Sequence, residues 1–212
     1  IASLVSDLIS YDLKARASAV RVMTDLAQSS EIQPILGQNK NAINVLSSLL
    51  LSRDVEMVRD TTFIMAYLAH QPDNQVTLGK NDQIIDGLSS LLLSSDRLTA
   101  KYAVLGVSYL AHHPHNDERF GQNQKIINGL TSHLLSSDIE TARNAVLGIA
   151  FLVHHPNNQA TFGKNTELVS KLSSLLLSKD KQIVKTVVPV IAFLAQLPAN
   201  QEILGKNINL LN

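Results

Sequence analysis

Six of the seven histidines of this 212-residue chain lie in three short segments, where imidazole could bind a metal or carry a proton. They are His70, His112 and His154, which recur every 42 residues, with His113, His115 and His155 beside them. A metal needs ligand nitrogens that converge within a few ångströms, whereas packed helices lie roughly 8–10 Å apart. The pattern therefore favours imidazoles that complement helix C-terminal dipoles over a metal site. A contact that changes near pH 6 is a separate hypothesis.

Two further sets of side chains keep the 42-residue spacing. The basic set comprises Arg59, Lys101, Arg143 and Lys185, and the aromatic set, here called the aromatic column, comprises Tyr67, Tyr109, Phe151 and Phe193. The basic groups could attract an acidic or phosphorylated segment, or they could pair with nearby acids such as Glu56, Asp60 and Glu140. The rings could hold apolar or arginine side chains of a ligand, or they could pack on a neighbouring helix. Both alternatives stay open for each set.

Composition and motifs exclude several classes of function. The sequence has no nucleophile elbow, phosphate-binding loop, zinc-protease helix or calcium loop, so we expect no catalysis and no cofactor. Cysteine is absent, which excludes a disulfide scaffold and fits a reducing compartment. Eighteen basic residues balance eighteen acidic ones, so no net charge attracts nucleic acid or anionic lipid. No apolar run is long enough to span a bilayer, and we expect an intracellular, cytoplasmic protein without membrane insertion.

The segments that position these side chains repeat every 42 residues without an insertion. The period is marked by Gly37, Gly79, Gly121, Gly163 and Gly205, by Asp12, Asp54, Asp96, Asp138 and Asp180, and by Asn39, Asn81, Asn123, Asn165 and Asn207. Such a period is typical of a solenoid, in which each repeat packs on its neighbours. We expect one repeat domain over 1–212, with repeats at 12–53, 54–95, 96–137, 138–179 and 180–212 and the end of a preceding repeat at 1–11. Because Ile1 and Asn212 align with helix interiors, we also expect a segment of a longer protein.

Residues 72–113 show what one repeat is predicted to contain. Asn74 is predicted to cap a short first helix, and Gly79 to stop it in the left-handed conformation. Asn81 then caps a second helix, and Asp96 caps a longer third helix that ends near residue 112. No segment shows sustained strand alternation, so the predicted fold is all-α.

The third helix of the repeat has two distinct faces. In the second repeat, positions 58, 61, 62, 65, 68 and 69 are apolar or small and predict the core face. The opposite face carries Arg59, Phe63, Tyr67 and His70, and steps of 42 residues add Lys101, Leu105, Tyr109 and His112, then Arg143, Leu147, Phe151 and His154. We expect Gly106 and Gly148 to permit close helix approach, and Pro189 to kink or shorten its helix.

Three segments resemble the armadillo repeat family. They are Asn74-Gln75-Val76 up to Gly79 in the first helix, Leu91-Leu92-Leu93-Ser94-Ser95 closing the second, and Val107-Ser108-Tyr109-Leu110-Ala111 near the end of the third. The resemblance implies a right-handed superhelix of about five three-helix repeats, whose third helices line a concave groove that holds an extended peptide.

The resemblance also shows a departure from the family's binding residues. Many peptide-binding members carry an asparagine in the third helix of each repeat that holds the ligand backbone, with a tryptophan one turn earlier. The asparagine positions here are Tyr67, Tyr109, Phe151 and Phe193, and the tryptophan positions are Phe63, Leu105, Leu147 and Pro189. The usual contact to the ligand backbone is therefore not expected.

The leading hypothesis is a non-catalytic scaffold that binds a peptide or protein segment along the concave groove, through the twelve side chains from Arg59 to His154 named above. One alternative is a rigid spacer between flanking domains, which predicts a buried aromatic column and a shallow groove. Another is a receptor for an anionic small molecule or lipid headgroup, which predicts a closed pocket. Homo-oligomerisation is left open by the sequence.

Overall fold

The structure, a computed structural model, describes residues 2–206 apart from the side chain of Leu13, and every regular element in that part of the chain is a helix. The first element is α1 (Ala2–Leu8). The long third helices are α2 (Leu13–Ala27), α5 (Val55–His70), α8 (Arg97–Ala111), α11 (Ile139–Leu152) and α14 (Lys181–Gln196). The all-α prediction is confirmed. The predictions for Ile1, Asn207 and Asn212 lie outside the described residues.

Shorter helices fill the rest of each repeat. The first helices are α3 (Gln33–Gln38), α6 (Pro72–Lys80), α9 (Asp117–Gly121) after a 3-10 turn at Pro114–Asn116, α12 (Pro156–Lys164) and α15 (Pro198–Gly205). The second helices are α4 (Lys40–Leu49), α7 (Asp82–Leu91), α10 (Gln124–His133) and α13 (Thr166–Leu175). Up to residue 206 the helices thus follow one another in the predicted order of a short helix and two longer ones.

The described residues fall into two compact units, which divide between His113 and Pro114. The first contains α1 to α8, and the second contains the 3-10 turn and α9 to α15. In the first unit α5 packs against α2 and α8, and in the second α11 packs against α14. The division into 42-residue repeats within one domain stays a prediction.

The predicted caps of the second and third helices are confirmed. The carboxylate of Asp54 accepts hydrogen bonds from the backbone N–H groups of Glu56 and Met57, at 3.0 and 3.1 Å. Asn81 accepts from the N–H of Ile84 at 3.2 Å. The same caps occur at Asp12, Asp96, Asp138 and Asp180, and at Asn39, Asn123 and Asn165. These side chains satisfy N–H groups that a helix start leaves without partners.

The predictions for the first helix are wrong in two respects. Asn74 is not a cap, since α6 begins at Pro72 after the N-cap Gln71, and Asn74 is fully buried. No glycine in the described part of the chain has a positive φ, and α6 continues through Gly79 to Lys80. The extended backbone of Asn81 ends α6 and begins α7, so no left-handed residue is needed.

The buried asparagine instead joins neighbouring repeats. The Nδ2 of Asn74 donates to the carbonyl oxygen of Gln33 in the preceding repeat at 2.9 Å, and to that of Leu68 in its own repeat at 3.0 Å. A Cβ on Gly37 would overlap the amide of Asn74. In the second unit the same pairing joins Asn158 with Gly121, and Asn200 with Gly163. Glycine therefore occupies these positions because an asparagine amide fills the space that a Cβ would need.

The core face predicted for the third helix is confirmed. Residues at positions 58, 61, 62, 65, 68 and 69 are all buried. Helices α5 and α8 approach closely where a Cβ on Gly106 would lie 3.3 Å from the Cα of Ala66, which fits the predicted role of this glycine. Pro189 does not shorten its helix, since α14 has 16 residues, the same length as α5.

Candidate partner-binding face

The predicted groove residues of the first unit lie on two adjacent third helices. Helix α5 carries Arg59, Phe63, Tyr67 and His70, while α8 carries Lys101, Leu105 and Tyr109 and is followed by His112 at its C-cap. Phe63, Tyr67, Leu105 and Tyr109 are all half-buried, and His70 and His112 are exposed. We call the remaining set the first-unit face, which comprises Phe63, Tyr67, His70, Leu105, Tyr109 and His112.

The second unit repeats the same arrangement with different side chains. Helix α11 carries Arg143, Leu147 and Phe151, and His154 follows its C-cap. Leu147 and Phe151 are half-buried, and Arg143 and His154 are exposed. No member of the aromatic column is fully buried or fully exposed. Each ring thus contacts its neighbours and still leaves part of its surface accessible.

Aromatic contacts connect the histidines to the column. The rings of His70 and Tyr109 meet edge to face with centroids 4.8 Å apart. In the second unit His154 and Phe193 do the same at 4.4 Å. Each of these histidines therefore packs on the aromatic residue of the following repeat, a role that the sequence prediction of dipole complementation did not include.

A further aromatic side chain was missed by the sequence analysis. Phe63 lies 4.4 Å from Tyr67 and 5.0 Å from Tyr102, measured between ring centroids. Tyr102 does not belong to the 42-residue column of rings, because the corresponding residues are Asp60 and Asn144. The sequence feature that could have pointed to Tyr102 is its position directly after Lys101, a predicted groove residue.

The arginines of the basic set bind acids, but not the acids that the sequence suggested. Arg59 donates two hydrogen bonds to Asp96, from Nε at 3.0 Å and from Nη2 at 2.8 Å. Arg143 donates to Asp180 at 3.0 and 2.7 Å. Both acids are N-caps of the third helix in the next repeat, 37 residues onward. The expected partners Asp60 and Glu56 act on Arg59 electrostatically and help to raise its pKa, after the larger effect of Asp96.

This pairing changes the electrostatics of the face. The Arg59 guanidinium, with the Thr99 hydroxyl and N–H, holds the pKa of Asp96 well below its ordinary value. Arg143 lowers the pKa of Asp180 in the same way. Because each charge is already balanced by a carboxylate, Arg59 and Arg143 hold less attraction for an acidic ligand than the sequence suggested.

Two tyrosine hydroxyls are left without a partner. Among residues 2–206 neither Tyr67 nor Tyr109 makes a hydrogen bond through its hydroxyl group. Burial, and to a smaller extent the nearby Tyr67, raises the pKa of Tyr109. A hydroxyl in such a position can donate to or accept from a bound molecule.

A cleft of about 240 Å³ opens beside these two tyrosines. It is lined by Gln28, Ser30, Gln33, Tyr67, His70, Leu105 and Tyr109, all of the first unit. Gln28, Ser30 and Gln33 come from the end of α2, the turn after it and the start of α3. The 42-residue step places Gln28 at the position of His70 one repeat earlier, whereas Ser30 and Gln33 were not among the predicted site residues. Glutamine recurs at positions 33, 75, 159 and 201, so the 42-residue period contained a signal for Gln33.

The third position of that 42-residue series, residue 117, holds an acid. Asp117 occupies the place of the glutamines and is buried, and its Oδ1 has no hydrogen-bond partner. Burial raises the pKa of Asp117 to about 6, although His155 and His154 partly oppose the shift. Glu118 lies beside it, with an oxygen 4.0 Å from His155 Nε2. In the described residues no group of histidine, aspartate and glutamate side chains is arranged to hold a metal ion.

The comparisons identify the fold through solved structures. A designed armadillo repeat protein in complex with the peptide (KR)4 matches at 22% identity and a TM-score of 0.76, over 99% of this chain and 88% of that one. Computationally designed armadillo repeat proteins for modular peptide recognition match at 22% identity and a TM-score of 0.81, with the same shares. A structure concerning a phosphorylation switch in the interaction between cadherin and β-catenin matches at 19% identity and 0.84, over 96% of this chain and 39% of that one.

The chain is thus an all-α repeat protein, and its fold is that of the armadillo repeats. No family model matches it, and no curated protein matches it. Within residues 2–206 there is no helix with the length and hydropathy that a membrane crossing requires. The sequence resemblance to armadillo repeats is therefore confirmed at the level of the fold.

Proposed function

We propose that this chain is a non-catalytic interaction module that binds an extended peptide or a protein segment on the exposed face of its third helices. The observation that carries the proposal is the half-buried aromatic column, which in the first unit borders a cleft with two unpaired hydroxyls. Rings of this kind combine a large apolar contact with a polar group and are common in binding interfaces. A structural neighbour, the designed armadillo repeat protein in complex with the peptide (KR)4, supports the proposal.

The proposed contacts come from the apolar and aromatic side chains more than from the basic ones. Phe63, Tyr67, Leu105 and Tyr109 would supply the contact in the first unit, and Leu147 and Phe151 in the second. Arg59 and Arg143 would act mainly within the protein, since they bind the caps Asp96 and Asp180. This engagement weighs against a receptor for an anionic small molecule or headgroup. The accessible rings weigh against a spacer with a fully buried column.

The test uses peptides selected from a random display library on the intact chain. Selected peptides are titrated against the parent and against the double variant Tyr67→Ala/Tyr109→Ala, by fluorescence polarisation. We expect the double variant to lose about tenfold or more in affinity, because truncating central aromatic residues commonly costs more than 1 kcal/mol each.

A matched control removes apolar groups elsewhere. Leu51 and Leu93 lie in the turns after α4 and α7 and are 58% and 61% exposed. The variant Leu51→Ala/Leu93→Ala should bind like the parent, and circular dichroism should show that both variants are folded. Equal affinity of the two double variants would contradict the proposal. Failure to select any peptide would favour the spacer.

A further inference from the structure

The cleft of the first unit contains a buried polar group, the side-chain amide of Gln33. Gln33 lines the cleft and is only 3% exposed. Its Nε2 donates to the carbonyl oxygen of Ala27 at 2.9 Å, which fixes the orientation of the amide. Its Oε1 is buried and accepts no hydrogen bond. A buried acceptor without a donor is unfavourable, so a ligand that supplies a donor gains free energy there.

The walls of the cleft are aromatic and apolar. Tyr67, Leu105 and Tyr109 all line it. His70 packs its ring against the edge of Tyr109, and Phe63 packs against Tyr67 from outside the cleft. A flat ring entering the cleft would therefore have ring faces and edges to pack on.

The lining residues include no carboxylate, lysine or arginine. A guanidinium or ammonium group would lose part of its water in this cleft without gaining a counter-charge, which is unfavourable for an ion. Cation–π attraction to the tyrosine rings would offset only part of that loss. A neutral donor loses much less on leaving water.

We propose that this cleft, between Gln33 and the tyrosines 67 and 109, takes one neutral aromatic side chain that carries a polar hydrogen. Tryptophan and tyrosine both provide this chemistry, through the indole N–H and the phenol O–H. The ring packs between the tyrosines, and the polar hydrogen is donated to Gln33 Oε1. The inference rests on the proposed function and specifies one side chain of the bound segment.

The first measurement uses small probes with the intact chain. N-acetyl-tryptophanamide and N-acetyl-tyrosinamide are titrated, and chemical shifts of the residues that line the cleft are followed by NMR. The chain has no tryptophan, so indole fluorescence reports only the probe. We expect saturable binding of one or both probes. The 1-methyl-indole and O-methyl analogues should bind about threefold to tenfold more weakly, because one neutral hydrogen bond is lost.

Two variants locate the effect at Gln33. Gln33→Met should bind the tryptophan or tyrosine probe as weakly as the parent chain binds the methylated probe. It should not distinguish the two probes. Gln75→Met is the matched control: Gln75 is also buried and donates to Ala69 at 3.1 Å, but it does not line the cleft. Gln75→Met should keep the full difference in affinity between the unmethylated and the methylated probe. The comparison of methylated and parent probes on the unmodified chain decides the question even if Gln33→Met does not fold.

Several outcomes would overturn the assignment. They are the absence of saturable binding, equal binding of the methylated probes, and tighter binding of N-acetyl-phenylalaninamide or N-acetyl-argininamide. Selected peptides separate this inference from the proposed function. Peptides that bind the face, lose affinity in Tyr67→Ala/Tyr109→Ala and carry neither tryptophan nor tyrosine would keep the function and reject the cleft assignment.

Discussion

The side-chain amide of Asn74 lies directly against the Cα of Gly37, and its Nδ2 hydrogen-bonds to Gln33 O in the same preceding repeat at 2.9 Å. Two residues 37 positions apart thus determine how closely two repeats approach. The contact recurs twice in the second unit, with Asn158 and Asn200 in place of Asn74. A fully buried polar side chain with two backbone acceptors fixes the register of neighbouring repeats more strictly than apolar packing alone.

The first prediction concerns this contact. Gly37→Ala should lower the free energy of unfolding by about 1–3 kcal/mol, since the new Cβ overlaps the Asn74 amide and displaces buried hydrogen bonds. Gly205→Ala is the control, because a Cβ there meets nothing within 4 Å. Urea denaturation should show a small or stabilising effect for Gly205→Ala. A double variant Gly37→Ala/Asn74→Ala should be less destabilised than the sum of the single changes; strict additivity would argue against a direct clash.

The second prediction concerns the ion pair of Arg59 and Asp96. Asp96→Ala removes a helix cap, an ion pair and the hydrogen bond from the Thr99 hydroxyl, whereas Asp54→Ala removes only a cap, because Ala17 occupies the position that corresponds to Arg59. Cap loss costs about 1 kcal/mol in both variants, and the other two contacts add to it only in Asp96→Ala. Asp96→Ala should therefore be the more destabilising of the two in chemical denaturation. Equal losses would show that the ion pair contributes nothing measurable.

This pair also predicts an acid dependence. The folded-state pKa of Asp96 lies below its ordinary value, so the stabilisation is present above about pH 4 and is lost as the pH falls further. Between pH 5 and pH 2.5 the parent should lose more stability than Asp96→Asn does. Thermal unfolding at a series of pH values measures this difference, and parallel curves would exclude the assigned shift.

The third prediction concerns Asp117, whose pKa is raised to about 6. An acid with a raised folded-state pKa stabilises the fold at low pH and loses that contribution as the pH rises through about 6. Asp117→Asn should therefore raise the melting temperature at pH 7.5 and have little effect at pH 4. The gain arises because the neutral amide avoids the cost of ionising a carboxyl group in this buried position. Glu118→Gln, on the exposed neighbour, is the control and should show no such pH-dependent gain. A lower melting temperature of Asp117→Asn at pH 7.5 would reject the prediction.

The fourth prediction concerns Pro189 within α14. Proline cannot donate the backbone hydrogen bond that a helix interior requires, and Leu105 and Leu147 occupy the corresponding positions in other repeats. Pro189→Leu should stabilise the protein, by up to about 3 kcal/mol. Leu147→Pro, the reverse change in α11, should destabilise it by a similar amount. Calorimetry or urea denaturation would measure both, and a destabilising Pro189→Leu would contradict this account.

The fifth prediction separates the hydroxyls of the aromatic column from its rings. Because neither hydroxyl of Tyr67 and Tyr109 is bonded within the described protein, Tyr67→Phe and Tyr109→Phe should each change stability by less than about 0.5 kcal/mol. Tyr109→Ala should cost more, since it also removes the ring contact with His70. A loss above 1 kcal/mol for either phenylalanine variant would indicate a structural role for the hydroxyl.

Local chemistry allowed the sequence to predict a large part of the fold. Asp54 and Asn81 cap helices that begin one residue later, so their role depends only on the nearest turn of backbone. The core face of α5 follows from helical periodicity in one segment of chain. The 42-residue period then extended both results to every repeat.

The errors arose where a residue's partner belongs to another repeat. Asparagine is a residue type that often caps helices, but Asn74 is buried, where it donates to the carbonyl oxygen of Gln33 and lies against Gly37. Arg59 was expected to bind acids on its own helix, yet Asp96 of the next repeat accepts both of its hydrogen bonds. Periodicity shows that such residues recur, but it does not show which neighbours they contact.

The candidate site was also predicted only in part from the sequence. The sequence by itself determined which side chains share the outer face of the third helices, because a helix fixes the angle between residues three and four apart. Only the tertiary structure decided that Gln28 and Gln33 join Tyr67 and Tyr109 around one cleft, and that a buried carbonyl oxygen there has no partner. Such proximity depends on how neighbouring repeats pack, and the spacing of residues along the chain does not encode it.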